Sequence, residues 1–219
     1  MGRKLYIVGL GPGDPDLITV KGLKRLEEAE IIFTPTTNGE GYALSILKKL
    51  SLDHKTLAFE VVMGSSDSLR MGSERICEAL KRYSSVALAV LGEPSLYSTA
   101  MRILSHMSCR GEVEIEIVPG VSAVYACVDR ISTSLAQGSE AVAIVPSSRV
   151  ELLENAIQYF DTVVVVKGGR NLARAADKLV ERGYVVTYMK HCFLETEEIS
   201  DKVSDQEYMA LVVAWRKKR

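Results

Sequence analysis

The sequence predicts an α/β protein of two α/β domains, with a mostly parallel sheet in the N-terminal one and a mixed sheet in the C-terminal one. Three observations lead there. Apolar β-branched runs alternate with segments of helical period, which is the grammar of βαβ units. Strands such as Val86–Leu91 are apolar without interruption, as strands buried on both faces of a parallel sheet must be. Near the end only "KVSDQ" separates "LETEEIS" from "YMALVVAW", too little for a crossover helix, so the last strands run antiparallel.

Each element follows from its pattern. Residues 5–10 form the first strand; a helix over 16–28 carries Leu17, Val20, Leu23 and Leu26 on one face; a second strand covers 31–34. A short helix at 42–50, a strand at 56–62, a long helix at 68–83, the strand "SVALAVLG" and a helix over 95–108 continue the alternation. In "EVEIEIVPG", Val113, Ile115 and Ile117 alternate with Glu112, Glu114 and Glu116, so one face meets solvent or an edge and the strand marks a sheet margin. "PGVSAVYACVDRI" turns into a helix, followed by strands at 141–146, 162–167, 185–191 and 208–215 and helices at 149–160 and 171–182. The domains are placed at 1–117 and 118–219, with a ligand cleft between them, and no internal repeat is visible.

Composition narrows the classes. With 47% hydrophobic and 25% charged residues the chain reads as an ordinary soluble globular protein. Twenty-seven basic against 28 acidic residues, net −1, point to no nucleic acid and no membrane surface as partner. The basic ending "WRKKR" reads as a solvated terminus. No apolar run approaches the roughly 18 residues of a membrane span, and no signal-peptide core is present. Cys77, Cys109, Cys127 and Cys192 lack C-x-x-C spacing and sit in apolar periodic segments, which predicts reduced thiols and a cytoplasmic home.

Three irregular stretches follow predicted strands: "GLGPGDP", "LGEPSLYST" and "VPGVSA". In open α/β sheets ligands bind beyond the carboxyl ends of strands, so these loops are expected to converge. The first is not a dinucleotide cradle, because Asp14 stands where G-x-G-x-x-G needs its third glycine and would face a pyrophosphate with like charge. Asp14 and Asp16 are placed to cap the next helix. In the second loop Glu93 is either a helix cap or a carboxylate suited to a ligand rich in amines and hydroxyls, beside Ser95, Tyr97, Ser98 and Thr99. In the third, Ser122 can cap its helix. His54, His106 and His191 have no metal-ligand spacing, so no metal is expected, and neither a G-x-S-x-G elbow nor a P-loop is present.

Taken in order, "VGLGPGDPDLITVKGLKRLEEAEII", "LGEPSLYSTAMRIL" and "IEIVPGVSAVYAC" resemble the three signature blocks of the tetrapyrrole methylases, over essentially the whole chain. The resemblance implies two α/β domains around an active-site cleft, a homodimer, S-adenosyl-L-methionine as cofactor and a tetrapyrrole as the small-molecule partner. "GEPSLYST", the lysine-glycine pair after "TVVVV" and the ending "YMALVV" are most similar to the branch that methylates C20 of precorrin-2 or its cobalt complex. Siblings acting on uroporphyrinogen III or other corrin positions, and diphthine synthase, share the cofactor motifs.

Carried over by position, the resemblance implies cofactor contacts at Pro12, Leu91, Gly92, Glu93, Leu96, Ser122, Ala123, Val166, Lys167, Ala210 and Leu211. Two positions depart from the family pattern: Glu93 replaces the usual aspartate of Gly-Asp-Pro, and Lys167 stands where many relatives are apolar. Tyr97 is the candidate for handling the proton that leaves the methylated carbon, with simple aromatic packing as the alternative. Arg70, Arg102 and Arg170 are candidates for pairing with substrate carboxylates, with surface solvation as the alternative. Two other classes compete: a nucleotide-dependent oxidoreductase, disfavoured by Asp14 and by "FTPTT", which lacks an acidic ribose partner, and a non-catalytic tetrapyrrole- or nucleotide-binding module.

Overall fold

The computed structural model describes residues 2–37, 41–169, 171–204 and 207–217. Two compact units divide the chain, Met1–Ala123 and Val124–Arg219. The first contains β1 (Lys4–Gly9), α1 (Val20–Glu28), β2 (Ile31–Thr36), α2 (Tyr42–Lys49), β3 (Thr56–Glu60), α3 (Ser66–Arg82), β4 (Ser85–Val90), α4 (Thr99–His106) and β5 (Glu114–Val118). Its sheet has the order β3-β2-β4-β1-β5, and every pair is parallel.

The sequence pattern explains the layering. Leu5 and Ile7 of β1 pack into one core with Phe33, Ile76 and Leu88, whereas Tyr6 and Val8 pack into the other with Leu26, Ile32 and Ile46. A central parallel strand is therefore apolar on both faces. β5 lies at the margin, as its alternating glutamates predict. Glu114 pairs with Lys4 at 3.7 Å, and Glu116 pairs with Lys21 at 2.5 Å and Arg25 at 2.7 Å, which pins α1 beside the edge strand. Hydrogen bonds from Lys21 and Arg25 hold the Glu116 carboxyl below its ordinary pKa. Charges on an edge strand also oppose its pairing with another chain.

The second unit contains β6 (Val142–Pro146), α6 (Leu153–Tyr159), β7 (Thr162–Val166), α7 (Leu172–Glu181), β8 (Tyr184–Lys190), β9 (Glu198–Ser200) and β10 (Ala210–Arg216). α5 (Ala123–Asp129) begins at the boundary. The sheet order is β6-β7-β10-β8-β9: β6 and β7 are parallel, β10 is antiparallel to both β7 and β8, and β9 is antiparallel to β8. The antiparallel ending arises because β9 and β10 flank β8, not because they pair with each other.

Several expectations are corrected. The helix predicted from residue 16 is a short 3-10 turn, Pro15–Leu17, capped by Asp14; α1 starts only at Val20, capped by Thr19, whose Oγ1 accepts from Gly22 N at 3.0 Å. The helix predicted from residue 95 likewise starts at Thr99 under a Ser98 cap, because residues 93–98 turn back on themselves. The cysteines are not reduced thiols. Cys77 is bonded to Cys109 and Cys127 to Cys192, across Cα separations of 5.8 and 5.5 Å, and no free cysteine remains. Partners 32 and 65 residues apart leave no local spacing to read. Persistent disulfides belong to oxidising compartments or to intracellular proteins of hyperthermophiles, so cysteine usage no longer argues for the cytoplasm. Among the described residues no helix is long and apolar enough to cross a membrane.

Candidate functional site

The three irregular loops leave adjacent strands. β4, β1 and β5 are neighbours, and their register sets Gly9 beside Val90 and Val8 beside Val118, so the loops emerge side by side at the carboxyl end of the sheet. They then touch through backbone. Gly92 N donates to Gly11 O at 2.7 Å, Leu10 N donates to Val90 O at 2.9 Å, and Gly11 and Gly92 form an isolated antiparallel bridge. A Cβ on Gly120 would sit 2.3 Å from Gly92 O and 2.8 Å from the Gly9 Cα, closer than any side chain tolerates. Gly9 and Gly120 are thus required where the three backbones approach one another, whereas Gly11 and Gly92 serve left-handed φ of +79° and +73°.

Glu93 ties the same loops with its side chain. Oε1 accepts from Ser95 N at 2.9 Å and from Ser95 Oγ at 2.6 Å, while Oε2 accepts from Gly120 N at 2.9 Å. Burial pushes the carboxyl pKa up, but the bonds from Ser95 and Gly120 outweigh it and hold the group below the usual glutamate value. Thr19 Oγ1 donates to Pro119 O at 3.3 Å, gripping the third loop from α1. Asp14 Oδ1 accepts from Asp16 N at 2.9 Å and caps the short Pro15–Leu17 turn of the first loop.

The other predicted residues of this unit surround the tie. Pro12 is buried, Leu91, Gly92 and Leu96 are half-buried, and Ser122 is buried next to half-buried Ala123. Tyr97 adopts φ +54°, a left-handed conformation that costs a bulky residue on the order of 1–2 kcal/mol, and its side chain is exposed. Arg70 lies on α3, held by Glu74 at 2.7 Å and Asp67 at 3.7 Å, and Arg102 is exposed on α4. Arg170 lies outside the described residues.

In the second unit the structure brings Val166, Lys167, Ala210 and Leu211 together at one end of the sheet. Val165 pairs with Val212, and Gly168 N donates to Ala210 O at 3.0 Å. Lys167 has φ +57°; its carbonyl accepts from the Ser147 hydroxyl and its Nζ lies 5.9 Å from the centre of the Tyr208 ring. Neighbours that sequence reasoning passed over stand here as well. His191, at φ +50°, has Nδ1 2.7 Å from Thr196 Oγ1 and Nε2 3.4 Å from Glu207 Oε2. No spacing signals the His191–Glu207 contact, because pairing of β8 with β10 creates it, while Thr196 reaches His191 within the turn that follows β8.

The sequence model of the family described as tetrapyrrole (corrin/porphyrin) methylases matches residues 4–203. The chain belongs to that family. Its closeness to named members is graded. It is 30% identical to a probable cobalt-precorrin-2 C(20)-methyltransferase of Methanocaldococcus jannaschii, over 99% of this chain and 98% of that relative. A cobalt-precorrin-4 C(11)-methyltransferase of the same organism is 28% identical over 83% of this chain and 70% of its own length. Among solved structures, a uroporphyrin-III C-methyl transferase from Thermus thermophilus complexed with S-adenyl homocysteine superposes with a TM-score of 0.70 at 20% identity, over 98% of this chain and 92% of the other. That likeness bears on the fold, which is the tetrapyrrole-methylase fold of one parallel and one mixed five-stranded sheet.

Proposed function

We propose that this methylase transfers a methyl group from S-adenosylmethionine to C20 of precorrin-2 or its cobalt complex. The end-to-end match to the C(20)-methyltransferase carries the reading; the C(11) relative aligns over a smaller share of its length. The residues of the loop cluster fit the cofactor. Pro12, Leu91 and Leu96 would offer apolar surface for the adenosyl part. A Cβ on Gly92 would meet no atom within 4 Å, so the backbone there is open to a ligand. Backbone of Gly92 and Glu93 would hold the cofactor with Ser122 and Ala123; Val166, Lys167, Ala210 and Leu211 are the further positions that we assign to cofactor binding. The same reading implies a homodimer working in the cytoplasm.

When bound, S-adenosylmethionine supplies an electrophilic methyl on a sulfonium sulfur. The chain's own task is then placement. Holding two reactants in line is worth about 7–11 kcal/mol, more than the roughly 3–5 kcal/mol of a general base, so a site of glycines and apolar contacts suffices for most of the rate. Tyr97, strained and outward-facing, is the residue we assign to moving the proton released from the methylated carbon. Arg102, Arg70 and Arg170 are offered for substrate carboxylates, Arg70 only by leaving its pairs with Glu74 and Asp67.

Incubation with methyl-labelled S-adenosylmethionine and either metal-free or cobalt-loaded precorrin-2 tests the reading. NMR of the product is expected to show the label on C20 alone. A label on any other ring position overturns it.

A further inference from the structure

We propose that Glu93 is a positioning residue: its carboxylate ties the loop after β5 to the loop after β4, and cofactor affinity depends on that tie, not on contact between the carboxylate and the cofactor. The inference rests on the cofactor reading above and reassigns one residue within it. Both carboxylate oxygens are already committed. Oε1 takes the amide and hydroxyl of Ser95, 2.9 and 2.6 Å away, inside its own loop. Oε2 takes the Gly120 amide at 2.9 Å, across 27 positions of sequence.

A turn cap would need only the first set of bonds. The bond to Gly120 is what a cap does not explain, and Gly120 is where the third loop is most constrained. It packs on the Gly92 carbonyl and on Gly9, and the carbonyl of Pro119 beside it accepts from Thr19. The loop is thereby gripped from β1, from the β4 loop and from α1. Ser122 and Ala123 follow directly, so where they stand depends on where Gly120 is held. The longer side chain also has a purpose. An aspartate in place of Glu93 is one methylene shorter and cannot keep the Ser95 amide and the Gly120 amide together without moving a loop. Glutamine could accept with only one of its two terminal atoms, so it too must give up one partner.

Two measurements on the full chain test this with wild type, Glu93→Asp and Glu93→Gln. Hydrogen exchange of the Gly120 amide, followed by NMR without ligand, is expected to be about tenfold faster in both variants. Calorimetry with S-adenosylhomocysteine is expected to show about tenfold weaker binding. In turnover assays KM for S-adenosylmethionine rises in parallel, while kcat at saturation stays within about twofold. Faster exchange with wild-type affinity overturns the proposal, as does weaker affinity with Gly120 still protected, which would mean direct contact. If neither variant folds, the wild-type carboxyl carbon of Glu93 decides: its chemical shift stays put on saturation with S-adenosylhomocysteine if the tie holds, and a shift overturns it. Wild-type protein that binds no S-adenosylhomocysteine overturns the cofactor reading, whereas Gly120 exchange that ignores both substitutions overturns the tie itself.

Discussion

The loop cluster of the first unit and the strand ends of the second both pack backbone tightly at a glycine, and differ in what surrounds it. In the first, glycines take the close contacts: Gly120 leaves no room for a Cβ beside Gly92 and Gly9. In the second, Gly168 is as crowded, with Glu207 O 2.0 Å from a hypothetical Cβ, and left-handed φ is taken by Gly169 at +105° and also by the non-glycines Lys167 and His191. Each such non-glycine costs on the order of 1–2 kcal/mol and persists only where its surroundings over-determine it. Here Gly168 N bonds to Ala210 O at 3.0 Å and His191 N to Met209 O at 3.1 Å, so strand pairing supplies the constraint. The first region pairs its glycines with one left-handed non-glycine, Tyr97; the second has two, Lys167 and His191, next to strand-pairing bonds.

Each unit also carries one disulfide, and in each a glutamate with a lowered pKa, Glu93 or Glu197, accepts a backbone N–H. Reduction is expected to cost most. Loop-closure entropy gives between about 3 and about 4.7 kcal/mol for each bond, with Cys127–Cys192, closing 65 residues, ahead of Cys77–Cys109, closing 32. Urea unfolding of the paired serine variants, Cys127→Ser with Cys192→Ser against Cys77→Ser with Cys109→Ser, ranks them. A larger loss from the shorter loop would mean that native packing, not chain entropy, sets the order.

Next come the crowded glycines. Gly120→Ala and Gly168→Ala are each expected to lose about 3 kcal/mol, since the atoms in the way are backbone and cannot rotate aside. Denaturation of both variants compares the regions directly. A tolerated Gly168→Ala would show that the segment carrying Glu207 yields, and that the second region is held less firmly than the loop cluster.

The smallest effect is that of pH. Glu93 is held below the ordinary glutamate value by Ser95 and Gly120 against the upward push of burial, and Glu197 by Arg130 and the Phe193 amide against the same push. A depressed carboxyl contributes stability that is present above the unfolded pKa of about 4.3 and disappears as pH falls through the folded value. Melting curves between pH 6 and 3 are therefore expected to fall less steeply below about pH 4.3 in Glu93→Gln and Glu197→Gln than in wild type. Glu197 also forms bonds with the Arg130 guanidinium at 2.7, 3.0 and 3.1 Å, so its substitution flattens the curve more. Equal slopes would remove the distinction.

Much of the fold was legible because burial writes a period into the chain. The glutamates at 112, 114 and 116 marked β5 as an edge, the unbroken apolar run before Gly92 marked β4 as central, and the short spacing before "YMALVVAW" excluded a crossover helix. Helix starts were less legible: Asp14 and Asp16 look like caps for a helix that in fact waits for Thr19, since a proline at residue 15 first completes a turn of its own. The cysteine pairs and the His191–Glu207 contact were hidden, as each joins segments that carry no mutual spacing.

By itself the sequence determined which strands are buried, which strand ends carry glycine loops and that Asp14 breaks the dinucleotide fingerprint, because periodicity and backbone permissiveness are local properties. Only the tertiary structure decided what those glycines face, which carboxylate oxygen meets the Gly120 amide, and which cysteines pair. Hydrogen bonds and disulfides act over a few ångströms between atoms that the chain brings together only once the sheets have formed.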